Sequence, residues 1–511
     1  MKSQRSKRNT WLVAAPAVAG FITALSLMSC SLAKKTDTQS FSEQDAKMML
    51  EEAHDLRAQG RTTEALTKEK EAADHFARMG ELLMVPEGIQ YADEMFAKAL
   101  ELDPANGKAL FYKSSTEPAL AVQGMIPRVE RIVTEEDGAR ELERLREGIT
   151  KLKMPELERF ANTLPNTDAP FTTYYDAQRF LRDKMLPVIL ASADKLGKID
   201  VSTTPLKLNF TPERILIDPV RRSGSYDYHY SYCHNDPRLG WKCEVYDSHY
   251  RWEDKKLRNE YFLDKYDLKI LKASMMAMAD QIRLATAYSQ KDSEFAIRRL
   301  RAIDAIRRES GRGGLSSQDV VNVLREFRDL LTLEKDHELT QFSGSLGEIL
   351  RNALEFSNMK EKLCNKKDRK DNNSLFHPIC ISAEAVDSLR VGLDLLAGPK
   401  EIDLGTDHSG HMVRIVADLS QVLRQPPKDL KALLPISFDE KGHPVDYPDA
   451  TMGGLFPNGD FIEKFKQIGT SRVIDQAMDS VRSALRVSRR SRSVDSWPTP
   501  SASVVPEGIR E

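Results

Sequence analysis

The chain has 511 residues, with 75 Lys and Arg against 77 Asp and Glu, 41% hydrophobic and 7% aromatic residues. That length predicts about two to four structural units with ample material for a core; the 30% charged content excludes a multi-pass membrane protein, and the aliphatic content excludes wholesale disorder. A formal net charge of −2 supplies no basic footprint for nucleic acid, and five cysteines are too few for a disulfide-framework protein.

Taken in chain order, Lys2, Arg5, Lys7 and Arg8 form a positive stretch with no acidic residue, and Trp11 to Leu27 then runs for 17 residues without a charge. This is short for a membrane span. It closes with Leu27-Met28-Ser29-Cys30: an aliphatic residue, a small residue before the cut, then cysteine. The arrangement resembles the signal peptide and lipobox of bacterial lipoproteins. The resemblance implies that residues 1–29 are removed, that the Cys30 thiol carries the lipid, and that the protein is extracytoplasmic and joined to a membrane through Cys30. Ser31 after the cysteine implies the periplasmic side of the outer membrane rather than the inner membrane. Buried acyl carbons contribute about 0.8 kcal/mol each, so two or three chains hold a soluble domain firmly.

Residues 30–45 read as a tether rich in Ser, Thr, Lys and Gln. A helical segment is expected over 46–125. Within it, residues 73–106 carry Phe76, Met79, Gly80 and Leu83 on a first helix and Ala92, Phe96 and Ala99 on a second, with Pro104 after it. These positions are similar to the tetratricopeptide repeat, a helix–turn–helix unit of 34 residues. Small residues at Gly80, Ala92 and Ala99 let the helices approach, and Phe76 and Phe96 fill the gaps. A degenerate unit precedes it, with Met49, Ala53, Leu56, Gly60, Ala65 and Ala72 near the expected offsets, but its spacing is seven residues short and Glu69 stands where an aromatic is usual. Asn106 to Leu110 opens a further helix. The resemblance implies a concave surface for a protein or peptide.

Residues 126–198 read as a helical linker or domain, with Thr134-x-x-Asp137 as a cap before Leu142, Leu145, Ile149 and Leu152. Over 199–252 the period changes: Leu206–Phe210 and Arg214–Ile217 read as short strands, and a tyrosine-rich hairpin follows. Its tyrosines, among them Tyr226, Tyr228, Tyr230, Tyr232, Tyr246 and Tyr250, are the best candidate binding surface. Residues 253–485 are expected to form a helical domain. Leu268, Leu271, Met275, Met278, Ile282 and Ala285 make one stripe, and Val320, Val323, Leu324, Phe327, Leu330 and Leu331 make another after Ser316-x-x-Asp319. Asp460-x-x-Glu463 begins a last helix. The tail 486–511, with Arg489, Arg490, Arg492, serines and prolines, reads as disordered.

With Cys30 lipidated, Cys233, Cys243, Cys364 and Cys380 remain. Loop length favours two local disulfides, Cys233–Cys243 closing the hairpin and Cys364–Cys380 closing a basic loop. A zinc site at Cys233, His234, Cys243 and His249 is the weaker alternative, for want of a close Cys-x-x-Cys pair. Asp407, His408 and His411 are the densest polar cluster. Gly405 and Gly410 point to a loop, and the histidine spacing is not that of a zinc protease. The Gly- and Pro-rich stretch 448–460 lacks phosphate-loop and EF-hand spacing, and reads as a loop docking Met452, Leu455 and Phe456 on the core. Arg298, Arg299, Arg301, Arg307, Arg308 and Arg312 alternate with Asp304 and Glu309, as on a salt-bridged helix face.

The fold expected is mainly α: a short repeat segment, then a larger helical domain with a small disulfide-closed hairpin. The expected role is a non-enzymatic interaction scaffold, with a protein or peptide partner, no nucleic acid, no cofactor, no metal and no catalytic residue. Two other roles stay open: an envelope protein binding a small ligand or lipid between repeats and helical domain, and a metal-dependent envelope hydrolase using Asp407, His408 and His411.

Overall fold

The computed structural model describes residues 38–84, 88–134, 142–143, 146–147, 155–165, 168–202, 204–209, 225–236, 240–251, 260–311, 315–360, 383–407, 409–440 and 444–468. Cys30, Cys364, Cys380, His408, the signal segment and the 486–511 tail lie outside them. The protein is mainly helical, and it divides into two units: residues up to Ile381 together with Leu423–Pro448, and Ser382–Val422 together with the chain from Asp449 onward.

The first unit begins with a strand, β1 (Thr38–Ser42), so the expected tether is shorter than its 30–45 bounds. The segment Thr-Gln-Ser-Phe-Ser is extended because its backbone pairs with the edge of the tyrosine hairpin. Ser42 then caps α1 (Glu43–Ala58): Asp45 N donates to Ser42 Oγ at 3.3 Å, and Ser42 N donates to Asp45 Oδ2 at 2.9 Å. Gly60, at φ +80°, turns the chain into α2 (Thr62–Leu82). Helices α3 (Ile89–Leu102) and α4 (Gly107–Ala121) follow, the second capped by Asn106, whose side chain accepts from Ala109 N at 3.0 Å.

Helix α2 explains the shortfall of seven residues in the degenerate repeat. It is one helix of 21 residues that packs on α1 and also on α3, so the two expected units share it rather than standing in tandem. Ala65, Ala72, Phe76, Ala77 and Met79 are all buried along its length.

The next segments are α5 (Met125–Thr134), α6 (Pro155–Asn162) and α7 (Tyr174–Phe180), which runs through a π-helical turn at Leu181–Met185 into α8 (Leu186–Gly197). Thr134 is the last residue of α5, and the rest of the cap expected at Thr134-x-x-Asp137 lies outside the described residues. The ribbon β2 (Leu206–Asn209) and β5 (Glu260–Leu263) pairs antiparallel and places Leu208 and Leu263, both fully buried, in the same core as Phe76, Phe96 and Tyr112. The strand expected at Arg214–Ile217 lies outside the described residues. Strands β3 (Ser225–Asp236) and β4 (Gly240–Arg251) form the expected hairpin, and with β1 a three-stranded sheet in the order β1-β4-β3.

Asp264 caps α9 (Lys265–Ala287), accepting from Tyr266 N at 2.7 Å and Asp267 N at 2.9 Å. Its apolar stripe is as expected, with Leu268 and Ile282 buried and Met275 touching two core clusters. Helices α10 (Ser293–Glu309), α11 (Ser317–Glu326) and α12 (Asp336–Lys360) follow. The expected Ser316–Asp319 capping box is present at the start of α11. The stripe expected as far as Leu331 stops being helical at Glu326. The reason is competing backbone pairing: Leu331 N donates to Ser289 O at 2.9 Å, Ser289 N to Thr332 O at 2.8 Å, and Leu333 N to Lys428 O at 2.8 Å. Successive packing runs α1 on α2, α2 on α3, α3 on α4, α4 on α8, α8 on α9 and α9 on α12.

The second unit departs from the single 253–485 helical domain that periodicity suggests. It contains α13 (Ala383–Ala397) and a hairpin, β6 (Lys400–Thr406) with β7 (Met412–Ala417), on which α15 (Phe461–Ile468) packs. Val413, Ile415 and Ala417 alternate buried along β7. The short α14 (Leu419–Arg424) lies at the boundary. From there the chain returns to the first unit through a 3-10 turn at Leu430–Leu433 and the small ribbon β8 (Ser437–Phe438) with β9 (Pro444–Asp446).

Candidate functional site

The repeat-like segment is built around a close approach of α2 and α3. Gly80 lies in the last turn of α2, and a Cβ there would stand 2.5 Å from Phe96 Cε1 and 2.8 Å from Cδ1. No side chain fits, which is why glycine occupies the position. Met79, Leu83, Ala92, Phe96 and Ala99 are essentially fully buried, Phe76 is nearly so, and the Phe96 ring stacks on Tyr112 of α4 with centroids 5.2 Å apart. Pro104 follows the end of α3 at the surface.

Next to Gly80 stands Glu81, only 3% exposed. Tyr112 Oη donates to its Oε1 at 2.8 Å, Lys108 Nζ lies 3.1 Å from Oε2, and Arg78 pairs with the same oxygen. A buried carboxylate is tolerated only when paired and hydrogen-bonded, and here both oxygens are engaged. Beside it, Asn106 Nδ2 donates to Asp74 Oδ1 at 2.7 Å. A second knot joins α3, α4 and α8: Lys113 Nζ lies 2.8 Å from Asp93 Oδ2, Thr116 Oγ1 donates to Asp93 Oδ1 at 2.6 Å, and Lys195 Nζ reaches Glu117 Oε2 at 2.5 Å.

A different polar arrangement lies between α9 and α12. Asp280, Arg283 and Thr286 follow one another at three-residue spacing on α9, and all are buried. Facing them, α12 supplies Glu338, Gln341 and Ser345. Arg283 Nη1 donates to Asp280 Oδ1 at 2.9 Å and Nη2 to Gln341 Oε1 at 3.2 Å. The Thr286 hydroxyl donates to Ile282 O at 2.8 Å and lies 3.4 Å from Glu338 Oε2. Asp280 Oδ2, Arg283 Nε and Ser345 Oγ are buried with no well-formed hydrogen bond among the described residues, although Ser345 stands close enough to Asp280 to pull its carboxyl down. Burial pushes the Asp280 carboxyl above its ordinary range, against the pull of the Arg283 guanidinium.

The seam continues to the π-helical turn. Gln178, one turn before it, donates from Nε2 to Tyr288 O at 2.7 Å and Thr286 O at 3.2 Å, and accepts from Gln290 N at 2.9 Å. Arg182 within the turn donates to Asp183 Oδ1 and to Glu334 Oε2, each at 3.0 Å. Tyr288 donates to Pro427 O at 3.0 Å, and burial pushes its phenol up to about 12. Lys431, almost fully buried, donates to Arg328 O at 2.9 Å and also to Leu330 O, which ties the returning segment to the loop after α11.

Of the residues singled out from sequence, Asp407 and His411 lie in the turn between β6 and β7. Asp407 Oδ1 accepts from Ser409 N and Oγ at 2.8 Å and from His411 N at 2.9 Å; these bonds hold its carboxyl below the usual range. The His411 side chain is 83% exposed. The carboxylate therefore organises the turn, with Gly410 at φ +86°. Among the described residues no group of three or more His, Cys, Asp or Glu is placed to hold a metal ion, and no helix is long and apolar enough to cross a membrane. In the 448–460 stretch, Asp449 accepts from Thr451 N at 2.8 Å and Gly453 N at 2.6 Å, and Phe456 stacks on Phe461 with centroids 5.0 Å apart. Met452, Leu455 and Phe456 are half-buried.

In the hairpin, Cys233 and Cys243 are direct Cα partners. The alternative zinc site fails on the same register. His234 falls on the opposite face of the sheet from Cys233, and His249 is six residues along β4 from Cys243, about 20 Å away. The arginine run behaves as expected for a helix face: Arg307 Nε lies 2.8 Å from Asp319 Oδ2, Arg308 pairs with Asp304 at 2.8 Å, and Arg299 reaches Glu326 at 3.5 Å.

No family model matches this chain. Comparison with curated proteins and with solved structures returned no match either.

The residues that sequence reasoning missed are the buried charged ones: Glu81, Arg182, Asp280, Arg283 and Lys431. Each stands at a helical or turn position where a charged side chain ordinarily faces water. One signal was present for α9. Asp280 sits on the face opposite the leucine and methionine stripe and Arg283 on its flank, on a helix of 23 residues that is flanked by partners on both sides.

Proposed function

We propose that the protein is an extracytoplasmic lipoprotein, held by acyl chains on Cys30 to the periplasmic side of the outer membrane, whose helices present a tetratricopeptide-type surface to a protein or peptide of an envelope assembly. The observation that carries the interaction role is the contact of α2 with α3 at Gly80 and Phe96. It lies where the repeat resemblance calls for a small residue against an aromatic, and the helices around it pack in chain order. Met48, Leu66 and Tyr91, one each on α1, α2 and α3, are large apolar side chains left exposed on this segment. The anchor rests on the positive stretch, the apolar segment and Leu27–Cys30.

The same compartment accommodates a Cys233–Cys243 disulfide. Directly paired Cα atoms in an antiparallel ladder lie about 4.5–5.5 Å apart, inside the roughly 4.4–6.8 Å that a disulfide spans.

Intact mass of the native protein tests the anchor: the expected chain lacks residues 1–29, carries acyl groups on Cys30 and gains four hydrogens on reduction. An unprocessed chain with free thiols would overturn the compartment. The interaction role is tested by photo-crosslinking groups at Met48, Leu66 and Tyr91 in intact cells. The expected result is one recurrent protein adduct from these positions and none from exposed Val391 in the second unit. Equal, scattered labelling from all four would sink the scaffold reading.

A further inference from the structure

Helix α12 is held to α9 unequally along its length. In its first half Glu338, Leu339, Phe342 and Ser345 are buried, whereas over residues 348–355 no side chain is fully buried. The facing stretch of α9, residues 269–278, holds no fully buried side chain either. Two partly exposed ion pairs join these stretches: Lys272 Nζ lies 3.1 Å from Glu348 Oε1, and Lys269 Nζ lies 2.8 Å from Glu355 Oε1. Exposed pairs of this kind hold two helices together only weakly. The change from tight to loose falls at Gly344 and Gly347. Glycine weakens a helix interior, and a Cβ at Gly344 would meet nothing within 4 Å, so close packing does not call for it.

Between these glycines stands Ser345, and beside it Asp280, the titratable group at the boundary. On its own helix, Asp280 Oδ1 accepts from Arg283 Nη1 at 2.9 Å. From α12, Gln341 holds the same guanidinium at 3.2 Å, the buried Glu338 lies further along beside the Thr286 hydroxyl at 3.4 Å, and Glu348 is taken up by Lys272. From α8, Leu186 and Ile189 pack in one cluster with Ala279 and Ile282 and bring no charge. Arg182 of the π-helical turn is engaged by Asp183 and Glu334, and α7 meets the far end of α9 through the uncharged Gln178. One buried guanidinium thus serves a seam with two buried carboxyl groups. Burial favours the protonated Asp280, so the closed seam binds this proton more tightly than a hydrated one. Closure is then strongest below the ordinary value of 3.8 and weakens as pH rises through the raised value.

We propose that residues 345–360 of α12 form an arm that undocks from α9 when Asp280 loses its proton to solvent, with Gly344 as the hinge, and that acid closes the arm again. Opening brings water to Asp280 and Arg283, which hydrates their charges in place of the dry seam. It also uncovers the stretch of α9 beneath the arm. A detached helical segment of this length is marginally stable in water, so the open arm frays and its amides lose protection. The first half of α12 stays docked, because its buried side chains are on the other side of the hinge.

Hydrogen exchange of the full-length chain, corrected for the intrinsic rate and followed from about pH 4 to about pH 8, reads this opening. The expected result is that protection of amides 348–355 falls at least about fivefold over that range, while α2, α3 and the first half of α12 keep theirs. Asp280→Asn, which cannot ionise, is expected to hold the protection of 348–355 constant with pH, with unchanged exchange of α2 and α3 showing that it is folded. Gly344→Ala leaves the seam intact and stiffens the hinge, and is expected to raise the protection of 348–355 at least about threefold at high pH. Protection that does not change with pH, or that changes equally in Asp280→Asn, overturns the proposal. So does a loss shared with α2 and α3, which is unfolding of the whole unit, or a Gly344→Ala chain that opens as readily as the parent.

Discussion

The α2–α3 contact and the α9–α12 seam are both buried interfaces between neighbouring helices, and they are built from opposite materials. At the first, a glycine, alanines and an aromatic ring meet with no room to spare, and the one buried carboxylate, Glu81, has both oxygens engaged. At the second, an acid, an arginine, a threonine and a serine lie inside, and three of their polar atoms have no well-formed hydrogen bond among the described residues. The difference teaches that the close-packed contact derives its stability from shape, whereas the seam holds polar groups that cost stability to bury and fix which helix faces meet.

The sharpest way to break this contrast is truncation of the ring. Phe96→Ala is expected to cost about 3–5 kcal/mol in chemical denaturation, because a fully buried ring leaves a cavity between three helices. A loss below about 1 kcal/mol would mean that α2 and α3 are not closely packed in solution. In the seam, Asp280→Ala is expected to cost about 3 kcal/mol by stranding the Arg283 guanidinium, whereas Asp280→Leu with Arg283→Met is expected to be neutral or stabilising. A double variant as damaged as the single one would show that the charges contribute more than their burial costs. Gly80→Ala follows, at about 1–3 kcal/mol, from a methyl group forced onto the Phe96 ring.

The pH dependence separates the two regions further. Burial raises the Asp280 carboxyl above its ordinary value of 3.8, so the folded state holds this proton more tightly than the unfolded one. The contribution of Asp280 to stability is then greatest in acid and declines as pH rises from near 4 through the raised value. Asp280→Asn is expected to flatten that part of the stability curve, measured by thermal melts across pH; an unchanged curve would place the acid in a wetter setting. The smallest expected effect lies outside both regions. Ser316→Ala removes the reciprocal cap of α11 and is expected to cost about 1 kcal/mol.

These regions also differ in how far they could be read from residues alone. The repeat-like positions were legible because close packing demands particular sizes at particular offsets: glycine where Phe96 sits, alanine where helices cross. The same reasoning did not reveal that α2 serves two neighbours, since a long helix and two short ones share one period. The start of α11 was legible through the short side-chain bonds of Ser316, whereas the cap of α9 at Asp264 was not singled out. The early end of α11 was not legible, because it is set by backbone bonds to Ser289 and Lys428, far away in the chain. The second unit was read as helical for a different reason: its hairpin is short, and the turn at Asp407–His411 is organised by local hydrogen bonds rather than by an apolar pattern.

Local chemistry, then, already determined the helical class, the caps, the tyrosine hairpin and the crowded glycine, because caps, alternation and side-chain volume act over a few residues. Only the tertiary structure decided that Glu81, Asp280 and Arg283 are buried, and that β1 lies on the edge of the hairpin. Each of these depends on which distant segments meet, and a charged or extended stretch of chain carries no local mark of its partner.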